Sequence, residues 1–397
     1  MHLREHARNS ITARSAWKNA EARALRIALL FHLAPRKRGS MEDAMVALAR
    51  EATRRGHSVE VFCRSPVLPE LEAELAGCRV GVESLTELEA DFRKGARRLS
   101  SYDVLHLNFI GIRDRAALMS YAAFPARVVF VDHWSGRPAS QSPIRRTVRR
   151  ALDAVMGLRV SGIAAVSEYV RARDSARYRL GRDRCRTLYN GVDVRRFRPR
   201  ENPRDPVAPF RAMCVAHLIP FKGVDHLIRA FARISSDTAE LWIVGDGVEE
   251  VNLRRLAEAQ GLGNRARFLG LRSDVAELMR DVDVFVHPAV WSEAFGLTVA
   301  EAMATGLPVV ASRTGALPEL LRDQHEGILV APGDEAELAR TLDRLASDSG
   351  LRARLGRAAR ARAETLFALD AAARAHVDYC EAHARRAPAR PTPVQER

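Results

Sequence analysis

The chain has 397 residues, 47% of them apolar, and a formal charge of +14; that is enough length and apolar content for two domains, each with a sizeable core. No run reaches the roughly 18 to 20 apolar residues of a membrane-spanning helix and the N-terminus has no apolar signal core, so a cytoplasmic protein is expected. Five widely spaced cysteines with no C-x-x-C pair argue against a disulfide framework or a zinc site and predict free thiols.

Residues 1–22 and the tail 387–397 read as disordered from their composition. The first strand-like run, LRIALLF, is followed by a loop and then by Gly39 and Ser40, which open a helix with Glu42 and Asp43 in its first turn. Ser40 fits two roles, a plain N-cap or a hydroxyl beside a ligand. The runs SVEVFC, DVLHLNF, ARVVFVDH and GIAAVS then alternate with helical patterns, which predicts a parallel α/β sheet. His133 ends the third of these runs and is followed by Trp134, Ser135 and Gly136, a polar and aromatic cluster at a strand's carboxyl end.

Residues 142–158, SPIRRTVRRALDAVMGL, carry Arg145, Arg146, Arg149 and Arg150 on one helical side and Ile144, Val148, Leu152 and Val155 on another. Such a helix either packs its apolar stripe on the sheet or lies on an anionic membrane surface. Asn190 and Gly191 form a turn signal. The segment PRENPRDPVAPF holds four prolines and mixed charge, which reads as a linker over 201–209. It divides a first domain, 23–200, from a second, 210–365, with a last helix expected over 366–386.

The second half repeats the alternation with RAMCVAHL, AELWIVG, DVFVHP and PVVAS. Nearly all the positive charge is arginine, and Lys222, in FKG between a strand and a helix, is the only lysine after Pro199. A compact ammonium there suits a phosphate. Asp281 and Asp283 match a D-x-D metal pattern but fall at the amino end of a strand, the wrong end for a ligand, so Asp283 reads as structural. The strand VFVH ends at Pro288, and AFGLTVAEAMA opens a helix reaching about Ala304, before the stop signal of Gly306 and Pro308. The backbone amides of Phe295, Gly296 and Leu297 form a phosphate site at that helix start. Glu301, one turn in, suits ribose hydroxyls, and Glu293 on the loop faces whatever the phosphate carries.

The pair Glu293 and Glu301 around FGL, followed by AMATGLPVVAS and GALPELL, resembles the retaining nucleotide-sugar glycosyltransferases of family 4. RGHSVEVF, YNGVDVRRFRP, LWIVGDG and GILVAPGD stand in the matching order, so the resemblance covers nearly the whole chain. It implies the GT-B fold, two Rossmann-like domains facing a central cleft, with the C-terminal helix returning to the N-terminal, acceptor-binding domain. It also implies transfer of a sugar from a nucleoside diphosphate to an acceptor hydroxyl with retention of configuration. Gly39 and Ser40 stand where the family commonly has two glycines near the transferring sugar. His133 takes the place of a histidine that contacts the donor sugar, and His217 replaces an arginine that holds the diphosphate. Leu271 lies in a loop expected to help select the donor. Lys222, His217 and the helix amides neutralise the diphosphate on this reading, so no metal is expected. Acceptors are expected among saccharides or lipid-linked chains of the cell envelope. A nucleotide-sugar epimerase or phosphorylase on the same architecture is the alternative. A third, a nucleic-acid-binding protein, is disfavoured by the even spread of arginine.

Overall fold

A computed structural model describes residues 23–384, apart from 35–37, 65–66, 137–142, 203 and 206. The ends expected to be disordered, 1–22 and 387–397, lie outside the described residues. The first sheet is built from β1 (Arg26–Phe31), β2 (Ser58–Cys63), β3 (Gly81–Ser84), β4 (Val104–Asn108), β5 (Arg127–Asp132), β6 (Gly162–Ala165) and β7 (Cys185–Thr187), in the order β3-β2-β1-β4-β5-β6-β7. The second holds β8 (Arg211–Val215), β9 (Glu240–Val244), β10 (Ala266–Gly270), β11 (Val284–His287), β12 (Val309–Ser312) and β13 (Gly327–Val330), in the order β10-β9-β8-β11-β12-β13. Every pairing between these strands is parallel.

Alternation along the strands decides which core each residue joins. In β1, Ile27, Leu29 and Phe31 enter one apolar cluster and Ala28 and Leu30 the other. In β8, Met213 and Val215 separate from Ala212 and Cys214 in the same way. Both faces are therefore covered, as parallel sheets require. Strand order reverses between β1 and β4 and again between β8 and β11. At such a reversal the loops leave in opposite directions and open a crevice at the strands' carboxyl ends.

The chain passes between the domains twice, side by side. The Val192 amide donates to the Phe367 carbonyl at 2.8 Å and the Leu369 amide to the Val192 carbonyl at 3.0 Å. This crossing lies upstream of the linker expected at 201–209. The proline-rich segment instead runs along the amino edge of the second sheet, where Arg204 binds Asp283 and Arg200 donates to the Val282 carbonyl at 3.0 Å. Asp283 also accepts the Arg211 amide at 2.8 Å.

Beyond the crossing, the helix Leu369–Ala384 lies on the first domain. Arg55 pairs with Asp378 at 2.6 Å, and the Tyr379 hydroxyl donates to the carbonyls of Ile163 and Arg184. A Cβ on Gly162 would come within 2.5 Å of both His383 and Tyr379, so a glycine there lets the helix seat.

The helix Pro143–Arg159 faces opposite to the packed alternative. Its inward residues include Asp153, paired with Arg177 at 2.8 Å and Arg113 at 3.3 Å, and Gly157, pressed against Tyr178. Val148, Leu152, Val155 and Leu158 are between 45% and 76% exposed. The reading in which the stripe packs on the sheet is thereby corrected: among the described residues the inner face carries the ion-paired Asp153, Gly157 and the part-buried Met156. The side chains of Ile144, Arg145, Arg146, Arg149 and Arg150 lie outside the described residues.

Candidate active site

The loops that follow β8 and β11 meet at the switch point of the second sheet. Close backbone approach holds them together. Gly223 sits at φ +64, where a Cβ would come within 2.2 Å of the Pro288 carbonyl oxygen, and the Val290 amide donates to the Phe221 carbonyl at 3.0 Å. On the other side Gly315, at φ +56, lies under the backbone of Glu293, whose carbonyl accepts the Ala316 amide at 2.9 Å.

These contacts bring Lys222 and Glu293 together, with the ammonium donating to Glu293 Oε1 at 2.5 Å. The same oxygen lies 3.1 Å from His287 Nε2. Burial alone would push the Glu293 carboxyl up, but His287 and Lys222 outweigh it and hold it at about 2. Glu293 is therefore an anion at neutral pH, able to accept hydrogen bonds from hydroxyls and unable to donate one.

Downstream, the helix Leu297–Ala304 starts from Gly296 at φ +103, and a Cβ there would lie 2.8 Å from Leu317 Cδ2. Glycine is needed here for the left-handed backbone and for packing. No side chain caps the helix, and among the described residues the amides of Phe295, Gly296 and Leu297 take no hydrogen-bond acceptor. The Phe295 ring itself is core, packed edge-on against Phe367 at 5.5 Å and tilted towards Tyr189. Only its backbone belongs to the site.

Glu301 and Ser40 meet across the cleft. The Ser40 hydroxyl donates to Glu301 Oε1 at 2.5 Å. Gly39, not Ser40, is the N-cap of the helix Ser40–Arg54, so the plain-cap reading of Ser40 is overturned. Gly39 has an extended backbone that any residue can adopt. The carboxylate expected to read a ribose hydroxyl accepts a serine hydroxyl here.

Three expected residues stand apart from this group. His133 is stacked on Phe109 at 4.0 Å, with Nε2 3.5 Å from Asn108 Oδ1. Its side chain lines a small cavity with His106, Asn190, Gly191 and His376 of the returning helix, and no hydrogen bond joins it to Lys222, Glu293 or Glu301. Desolvation, then the neighbouring His376, holds its pKa down to about 3, so it is a neutral ring. The structure places this ring beside the returning helix. His217 is exposed, 3.9 Å from Asp246. Asp246 belongs to the loop after β9, which Gly247 tucks under Leu218. Leu271 is exposed just past β10, three strand spacings from β11, or roughly 14 Å.

Two residues escaped the sequence reading. His287 is an isolated polar residue at the end of an apolar strand, six positions before Glu293, and that isolation was the available signal. Glu319 accepts the amides of Glu168 and Tyr169 at 2.7 and 2.6 Å, so an acid of the second domain sits at a helix start of the first. No local pattern announces that contact.

Comparison with known proteins accords with this geometry. The family described as Glycosyl transferases group 1 matches residues 196–362, and Glycosyltransferase Family 4 matches residues 41–196. The lipopolysaccharide core biosynthesis glycosyltransferase LpsE of Rhizobium meliloti is 36% identical over 143 residues, 36% of this chain and 41% of that protein. The D-inositol 3-phosphate glycosyltransferase of Streptomyces bingchenggensis is 35% identical over 219 residues, 49% of this chain and 47% of that one. The chain spans about half the length of the curated relatives it matches. Anabaena HepE, solved in complex with UDP and glucose, superposes with a TM-score of 0.73 at 24% identity, over 88% of this chain and 98% of that one, which shows a shared fold. Two family matches that meet at residue 196, two parallel sheets and paired switch points agree: the chain belongs to the group 1 glycosyl transferases and has the GT-B fold.

Proposed function

We propose that this protein transfers a sugar from a nucleoside-diphosphate sugar to an acceptor hydroxyl, with retention of anomeric configuration and without a metal ion. The observation that carries the reading is the group at the β8/β11 switch point: the Lys222–Glu293 pair beside the unpaired amides of Phe295, Gly296 and Leu297. The amides and the ammonium take the diphosphate, and Glu293 takes hydroxyls of the sugar. Glu301 takes the ribose once Ser40 gives way. The glycosidic bond to the diphosphate breaks, the acceptor oxygen attacks from the same face, and the departing phosphate oxygen receives the acceptor proton. Catalysis on this route is alignment and leaving-group stabilisation. Thermal shift against UDP-, GDP- and ADP-sugars tests it first, since a ligand at 100 times its Kd adds about 2.7 kcal/mol. Anomeric analysis of the product then tests retention. Sugar nucleotide converted to an isomer without an acceptor would favour the epimerase reading.

The acceptor is an envelope saccharide or a lipid-linked chain at the inner face of the membrane. What supports this is the similarity to a lipopolysaccharide core biosynthesis glycosyltransferase and the outward stripe Val148, Leu152, Val155 and Leu158, on a helix with five arginines in its sequence. No helix of the described residues is long and apolar enough to cross a membrane. Co-sedimentation with vesicles containing anionic lipid is expected, and its loss on changing Val148, Leu152 and Val155 to serine. Binding that ignores both lipid charge and these substitutions would refute the surface.

A further inference from the structure

Glu293 Oε1 carries two donors, and they differ in how firmly the fold holds them. Lys222 reaches it from the end of a flexible four-carbon stem, part exposed, on the loop after β8. His287 reaches it from the last position of β11, with a buried ring that the strand fixes. Oε2 takes no hydrogen bond among the described residues. His287 Nδ1 is buried and, among the described residues, also has no partner.

The ionised carboxylate decides which ring nitrogen donates. An ionised Glu293 only accepts, so His287 Nε2 carries a proton. The Nε2 proton is therefore given to Glu293.

Resting on the reading of this site as a donor site, we propose that His287 is the positioning residue of Glu293, holding its carboxylate in place when the incoming diphosphate draws Lys222 away. The division of labour follows from charge. A diphosphate competes with Glu293 for the ammonium. The His287 ring is buried at the end of β11, where the strand fixes it, and stays with the carboxylate. Glu293 Oε2 then faces the sugar from a fixed rotamer throughout.

The test compares His287→Phe, which removes the donor at similar volume, with His287→Gln, whose amide can still donate to Glu293. Binding of the free nucleoside diphosphate is measured by titration calorimetry, and kcat and KM are measured for its sugar nucleotide. Expected for His287→Phe are unchanged affinity for the free nucleotide and a kcat/KM for the sugar nucleotide lower by about 10- to 100-fold, the span of one hydrogen bond to a charged group. His287→Gln recovers most of that loss. The double variant His287→Phe, Glu293→Gln is no worse than Glu293→Gln alone, because both act through one contact. Should His287→Phe not fold, His287→Asn, whose shorter amide falls short of Glu293, takes its place. An unchanged kcat/KM, a loss additive with Glu293→Gln, or an equal loss of free-nucleotide affinity would overturn the positioning role. Wild-type protein that binds none of the nucleotides overturns the donor-site reading and this inference with it.

Discussion

Removing the Lys222 ammonium should separate the two roles its position combines. In Lys222→Ala the diphosphate loses one electrostatic donor, and turnover is expected to fall by roughly 100-fold, about 3 kcal/mol of transition-state stabilisation. The second effect is on the fold. The Glu293 carboxyl is held at about 2 against an ordinary value of 4.5, and that depression corresponds to about 3 kcal/mol of linkage at about 1.4 kcal/mol per tenfold change. The sign follows from a lowered carboxylate: the contribution is fully present above pH 4.5 and lost as pH falls towards 2. His287 stays in place, so Lys222→Ala removes part of this contribution and not all of it. Chemical denaturation at pH 7 and at pH 3 should therefore show a stability deficit in the variant that narrows at the lower pH. Turnover is read by release of nucleoside diphosphate. Near-normal turnover in a folded Lys222→Ala protein would refute the leaving-group role. A deficit that stays constant or widens on acidification would refute the charge argument.

Ser40→Gly frees Glu301 Oε1 from its cross-cleft hydroxyl and should tighten nucleotide binding in calorimetry; unchanged affinity would mean that the serine does not compete. Gly296→Ala puts a Cβ at φ +103 against Leu317 and should lower stability by about 1 to 3 kcal/mol, seen as a lower Tm. His217→Arg should raise donor affinity by placing a permanent charge at the loop after β8, and identical binding would remove this position from the site. His133 and His376 are held at about 3 and about 4, mainly by desolvation, so the unfolded chain binds more protons below pH 6.5 and stability should fall through that range. Replacing His133 with phenylalanine should flatten this acid limb.

Much of the architecture was legible because it is local. Alternating β-formers, the Pro288 and Gly306 stops and the left-handed Gly296 each write their conformation into neighbouring residues, and the nine strand-like runs all appear as strands. The spacing of Glu293 and Glu301 around a helix start, with Lys222 beyond an earlier strand, likewise marks the crevice at the strand ends where Lys222 and Glu293 meet. The sequence alone also excluded a disulfide framework and placed Asp283 at the amino end of its strand, away from the crevice.

Only the tertiary structure decided which partner each polar group meets. Ser40 and Glu301 are 261 positions apart and are hydrogen-bonded because two domains close on one another. Glu319 finds the start of the helix Glu168–Tyr178 by the same closure. The returning helix brings His376 beside His133, a neighbour 243 positions away in the chain. The helix Pro143–Arg159 carries one apolar stripe under either orientation, and its outward facing is fixed by Arg113 and Arg177 binding Asp153 on the inner side. Periodicity tells a helix which face is apolar, but not which side of that helix the rest of the chain will occupy.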